Sequence, residues 1–163
     1  MTNHEFFHRH CSSEFPRFVS VLEATPAARL DYRPHPRSRS AEELIGHLIG
    51  HELYLAELLE TGAINHRMQV PFGTLDEALA IYRQAHETVE GRLGTLDEKT
   101  WEAEGQFLVN GAAVIAAPCR ELAWMLLMDA VHHRGQLSTY LRPMGGAVPS
   151  IYGPSADSPV VTV

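Results

Sequence analysis

Cysteine is scarce in this sequence, with two in 163 residues. Cys11 and Cys119 lie far apart and form no CxxC pair. That argues against a disulfide framework and for free thiols in a reducing compartment. Long apolar runs are also missing. Uncharged stretches such as Ala112 to Ala117 fall far short of the roughly 20 residues that cross a bilayer. The opening Met1-Thr-Asn-His-Glu5 has neither the basic nor the apolar stretch of a signal peptide. These absences set the expectation of a cytoplasmic protein with no membrane partner. Positive charge is in deficit, and the net charge is −7 with histidine neutral. A phosphate backbone needs a basic patch, so nucleic acid is not expected as a partner. The Arg33–Arg39 stretch is the one basic cluster, and such clusters are usually solvated. No nucleophile elbow, P-loop or Gly-x-Gly-x-x-Gly occurs, and neither does a repeat or low-complexity block.

What the chain does hold is apolar residues at helical spacing. They make up 45% of the sequence, enough for one domain over residues 1–163 with a full core. The S/T-x-x-E pattern of a capping box recurs at Thr2–Glu5, Ser40–Glu43 and Thr74–Glu77. After the first box, Phe7, Cys11, Phe15, Phe18, Val19 and Leu22 form a stripe, interrupted by Pro16. Either that helix kinks at Pro16 or it starts near Ser12 and Ser13, with the proline in its first turn. After the second box, Leu44, Leu48, His51, Leu55, Leu58 and Leu59 share a face, His47 flanks it, and Gly62 suits a C-cap. The third helix uses Leu75, Ala78, Leu79, Tyr82, His86, Val89 and Leu93, ending at Gly94. Phe107-Leu-Val and Ala113-Val-Ile flank Asn110-Gly111, a type I′ hairpin signal. Pro118 opens a last helix that runs to about Pro143. The fold class expected is all-α, a four-helix bundle with a small irregular or hairpin segment before the last helix.

The last helix carries the chemistry. Leu122, Met125, Leu126, Leu137 and Tyr140 fall on one side, with Asp129 and His133 at i and i+4 in the middle of it. A carboxylate buried on such a face costs several kcal/mol unless it is partnered. The pair is either a plain carboxylate–imidazole contact or half of a metal site. Helix two offers His47 and His51, so three of these four groups could converge between packed helices. Imidazole with carboxylate suits Zn, Fe, Ni or Mn alike. His51 reads as a structural or orienting imidazole, and His132 as a flank residue turned about 100° from His133. Arg134 and Gln136 are either surface residues or partners that orient a ligand. Cys119 stands about 20 Å along the helix from His133, too far for a nucleophile pair. Cys11 reads as a buried core thiol.

Three stretches carry a resemblance: Glu42-Glu-Leu-Ile-Gly-His47, the Asp129-x-x-His132-His133-Arg-Gly-Gln-Leu-x-x-Tyr-Leu-Arg142 run, and the Val148-Pro-Ser-Ile-Tyr-Gly-Pro-Ser155 tail. The chain resembles the DinB-like (YfiT-like) family over almost its whole length. That resemblance implies an up-down-down-up four-helix bundle, a homodimer and a divalent metal on three residues, typically all histidine. Carried over, these are His47, Asp129 and His133. Asp129 departs from the commoner histidine and shifts the preference towards harder ions. Similar proteins include thiol transferases that use a low-molecular-weight thiol. The function expected is that of a metal-dependent enzyme of transferase or hydrolase type acting on a small molecule. The alternative is a non-enzymatic dimeric binding or stress-response module with a structural metal or none.

Overall fold

The computed structural model describes residues 1–67 and 69–159, so residues 160–163 of the expected domain lie outside the described part. Helix α1 spans Asn3–Glu23, α2 Ala41–Thr61, α3 Leu75–Leu93, α4 Glu98–Glu102 and α5 Cys119–Tyr140. A single 3₁₀ turn, Ala27–Arg29, lies between α1 and α2. Two capping boxes close fully. Thr2 Oγ1 accepts from the Glu5 N–H at 3.2 Å while Glu5 Oε2 accepts from the Thr2 N–H at 2.8 Å. Ser40 and Glu43 do the same at 3.2 and 2.6 Å. The third box is half formed. Thr74 accepts from the Glu77 N–H, but the Glu77 carboxylate turns to the Gly73 N–H at 2.8 Å instead. Helix α1 runs through Pro16 without restarting, so a start near Ser12 and Ser13 is ruled out. Helix α5 ends at Tyr140, with Leu141 still in αR as its C-cap, close to the expected end near Pro143.

The all-α expectation needs a correction. The protein is mostly helical but carries a three-stranded sheet, β1 (Ala63–His66), β2 (Glu104–Val109) and β3 (Ala112–Pro118), in the order β1-β2-β3. The hairpin β2–β3 is the one the sequence signals: Asn110 and Gly111 both take positive φ, 52° and 79°, as a type I′ turn requires. Strand β1 was not anticipated. It pairs parallel to β2, with Ile64 opposite Phe107. Four residues are too few to show an alternating pattern, and their partner lies some 40 positions away in sequence.

Helix α2 packs on α3 and α5, and α1 packs on the same two helices. Their contacts give relative directions. His8 meets Glu90 and Glu23 meets Arg83, so α1 and α3 run opposite ways. Glu52 meets Tyr82 and Glu60 meets Arg92, so α2 and α3 run together. The Tyr140 hydroxyl donates to the Arg39 carbonyl just before α2, and α5 returns along α2. Phe7, Phe18, Leu22, Leu44, Ile45, Leu48, Tyr82, Leu122 and Leu137 form one core cluster between these helices. Among the described residues no helix is long and apolar enough to cross a membrane.

Candidate metal centre

His47 and His51 stand one turn apart on α2, and Asp129 and His133 one turn apart on α5. Because the two helices pack side by side, both pairs meet. One oxygen, Asp129 Oδ2, faces three imidazoles: His51 Nε2 at 3.1 Å, His133 Nε2 at 3.4 Å and His47 Nε2 at 3.8 Å. One ligand atom from each of the four residues lies within 4.8 Å of the others. A cluster so composed could hold a metal ion.

The sequence reading put Asp129 in the apolar interior, and this is corrected. Its side chain is 47% exposed, whereas the two α2 histidines are buried. The acid stands at the edge of a pocket of about 300 Å³ lined by His47, His51, Tyr54, His66, Phe107 and Met125 among others. Desolvation of Asp129 is therefore modest, and it is the buried imidazoles that lack partners. His47 Nδ1 and both ring nitrogens of His51 make no hydrogen bond. His51 Nε2 is close enough to Asp129 to bond, but its in-plane N–H direction misses the carboxylate. His51 Nε2, buried without a hydrogen bond and 3.1 Å from a carboxylate oxygen, fits a cation between the two.

The protonation states suit the same guest. Burial, followed by the neighbouring His51 and Arg39, lowers His47 to about 3, so one of its ring nitrogens keeps a free lone pair at neutral pH. Burial also lowers His133, against the pull of Gln136 and Asp129. The contact with His51 leads the influences that hold the Asp129 carboxyl at about 2. Neutral imidazole and ionised carboxylate are the states that coordinate metal.

His133 is the best oriented of the four. Its Nδ1 bonds Gln136 Oε1 at 2.8 Å, which places the proton on Nδ1 and leaves Nε2 as a donor to metal. Gln136 is held in turn by His132, its Nε2 lying 3.0 Å from the His132 ring nitrogen. His132 thus acts through Gln136, outside the cluster. Arg134 is neither a surface residue nor a partner of the cluster. It is buried against Glu14 and Tyr152, with a guanidinium-to-Glu14 Oε2 distance of 2.5 Å. His51, read from the sequence as a structural or orienting imidazole, stands 3.1 Å from Asp129 Oδ2. Tyr54 and His66 were missed. Tyr54 accepts from the Arg67 N–H at 2.7 Å and donates to the Arg67 carbonyl, pinning the chain after β1. A pocket-lining tyrosine in an apolar helix carries no sequence signal beyond its burial. Gly46 is needed for close approach: a Cβ there would stand 2.5 Å from the Val70 carbonyl oxygen.

A mostly helical protein with three imidazoles and a carboxylate converging beside a pocket is the class that fold and site define. The chain belongs to the DinB family, which matches residues 1–159. Among solved structures, a DinB-like protein from Bacillus subtilis is 22% identical, with a TM-score of 0.68, covering 85% of this chain and 91% of that one. A DinB-like protein from Bacillus cereus is 16% identical, with a TM-score of 0.75, covering 91% and 97%. A mutant of the mycothiol-dependent maleylpyruvate isomerase is 12% identical, with a TM-score of 0.59, and this chain spans 63% of it. At these identities the likeness concerns the fold. No curated protein matches the chain.

Proposed function

We propose that this protein is a divalent-metal-dependent enzyme in which His47, Asp129 and His133 hold the ion, with Zn, Ni, Fe or Mn as candidates. The observation that carries the reading is the convergence of three imidazole Nε2 atoms, those of His47, His51 and His133, on one oxygen of Asp129, with His51 Nε2 buried and making no hydrogen bond. When bound, the ion supplies Lewis acidity, polarising a substrate oxygen or favouring the thiolate form of a thiol. Phe107, Ile115, Met125 and Leu126 give the pocket apolar walls that exclude water from a small substrate. His51, whose ring nitrogens make no hydrogen bond, is placed to accept a proton from a thiol or water entering the pocket. Transfer of a low-molecular-weight thiol is the reaction favoured, and hydrolysis comes next. The thiol reading draws support from the mycothiol dependence of the isomerase that shares this fold. The reading takes residues 1–163 as one domain, an up-down-down-up bundle, supported by the helix directions given above. It takes the assembly as a homodimer, for which Val114, Ile115 and Met128 offer exposed apolar side chains. Two free cysteines fit a reducing, cytoplasmic setting.

The test uses untagged, chelator-stripped protein. An ion at about 100 times its Kd adds about 2.7 kcal/mol, or a Tm rise of about 5–10 °C for a chain this long. His133→Ala should abolish most of that rise, and Asp129→Asn should reduce it. A metal-loaded preparation should then consume free thiol in the presence of an electrophile faster than the stripped one. If no ion raises Tm, or the rise is the same in His133→Ala, the metal reading fails.

A further inference from the structure

A second group of ligand-capable side chains lies away from this pocket, between α1 and α3. Cys11 from α1 and His86 and Glu90 from α3 each bring one ligand atom within 4.8 Å of the others. Cys11 and His86 are 2% and 5% exposed. His86 Nε2 is 3.4 Å from Glu90 Oε1, while its Nδ1 is 3.5 Å from Glu52 Oε2 across on α2. The ring lies flat on Phe15, with centroids 3.8 Å apart, which fixes its plane.

Two orphaned atoms distinguish this group from ordinary core polarity. His86 Nδ1 and Glu52 Oε2 make no hydrogen bond, although both residues are more than nine-tenths buried. Glu52 finds only the Tyr82 hydroxyl, 3.2 Å from its other oxygen. Among the described residues no Arg or Lys reaches it, and an uncompensated buried carboxylate costs several kcal/mol. Glu90 is held from outside by Ser12 Oγ at 2.7 Å and His8 Nε2 at 2.9 Å. Imidazoles that bind metal through one nitrogen characteristically offer the other N–H to a carboxylate. Glu52 Oε2 stands in that position, 3.5 Å from His86 Nδ1, while Nε2 lies 3.4 Å from Glu90 Oε1.

We propose that Cys11 Sγ, His86 Nε2 and a Glu90 carboxylate oxygen form a second divalent-cation site of the zinc type, with Glu52 orienting His86. A thiolate, an imidazole and a carboxylate are the donor types a structural or water-bearing zinc takes. Donors around tetrahedral zinc stand about 3.3–3.8 Å apart, so the present separations need shifts of about 1 Å, which the half-exposed Glu90 can supply. Burial, with Glu52 and Glu90 adding to it, pushes the Cys11 thiol up, so without a cation the sulfur keeps its proton. Binding the ion releases that proton to solvent, and the ion then offsets the negative charges of Cys11, Glu52 and Glu90.

The test titrates full-length, untagged, reduced and chelator-stripped protein with CoCl₂ and, separately, with ZnCl₂. Cobalt bound to Cys11 gives a thiolate-to-cobalt charge-transfer band that an all-nitrogen-and-oxygen site does not. The expected result is a band that survives His133→Ala and Cys119→Ser but disappears in Cys11→Ser. Zinc stoichiometry should fall by one ion in Cys11→Ser. Glu90→Gln, at a half-exposed position that leaves the core intact, should weaken zinc at this site at least tenfold and decides the matter if Cys11→Ser does not fold. The proposal is overturned if wild-type protein shows no thiolate band, if the band persists in Cys11→Ser, or if Glu90→Gln binds zinc as tightly as wild type. Because the band reports sulfur alone, loss of the His47–Asp129–His133 site would leave this result readable.

Discussion

Removing Glu14 should cost this protein a large part of its stability. Arg134 is 1% exposed, and its guanidinium donates to Glu14 Oε2 at 2.5 Å and to the Tyr152 hydroxyl at 2.6 Å. Tyr152 donates onward to the same Glu14 oxygen at 2.8 Å, so one carboxylate satisfies two groups. The guanidinium also lies over the rings of Phe18 and Tyr152. Arg134 Nε has no partner, so little else supports the charge. Glu14→Ala strands a buried cation, a loss of about 3–5 kcal/mol. Against a typical stability of about 5–15 kcal/mol that is about a fifth or more, and Tm should fall by about 10 °C. Tyr152→Phe keeps the ion pair and should cost only about 1–2 kcal/mol. Glu14→Leu combined with Arg134→Met removes both charges and should recover much of the loss, since an apolar pair of similar volume often replaces a buried ion pair without penalty. Urea unfolding of the four proteins at pH 7 measures all of this. A Glu14→Ala cost below about 1 kcal/mol, or a double variant no better than the single one, would refute the account.

Two further outcomes follow from the candidate metal centre. Gln136→Leu removes the acceptor that fixes the His133 tautomer and should weaken ion binding about 10- to 100-fold with the helix unchanged, measured by competition against a chromophoric chelator. Unchanged affinity would mean that the amide does not orient the ligand. Metal-free protein should lose stability on acidification. The unfolded chain protonates His47 near its ordinary 6.5, whereas the folded chain resists until about 3, so U binds more protons than N throughout that window. Stability therefore rises with pH across it, and moving from pH 8 to pH 5 should cost about 2 kcal/mol through this residue. In EDTA, His47→Leu should flatten that dependence; an identical slope in the variant would contradict it.

The local grammar of this chain was legible residue by residue. Thr2, Ser40 and Thr74 announced helix starts, because a cap is a contact between residues three apart. Gly62 marked the end of α2, and Asn110-Gly111 marked a turn that only positive φ can make. The spacings 47–51 and 129–133 put two pairs of donors on two helix faces for the same reason. What lay beyond reach were contacts made across the fold. Strand β1 exists because β2 lies beside it. Asp129 stands at a pocket edge because α2 and the sheet supply the other lining residues, His47, Tyr54, Phe107 and Ile115 among them. Arg134 turns inward because Glu14 and Tyr152 meet it there. Cys11 looked like one more apolar position on its stripe, and only the packing of α1 and α2 against α3 set it near His86 with Glu52 behind. Periodicity specifies which face of a helix is inward. The rotation and height at which neighbouring helices meet come from the summed packing of the whole core, and that decided which side chains share a site.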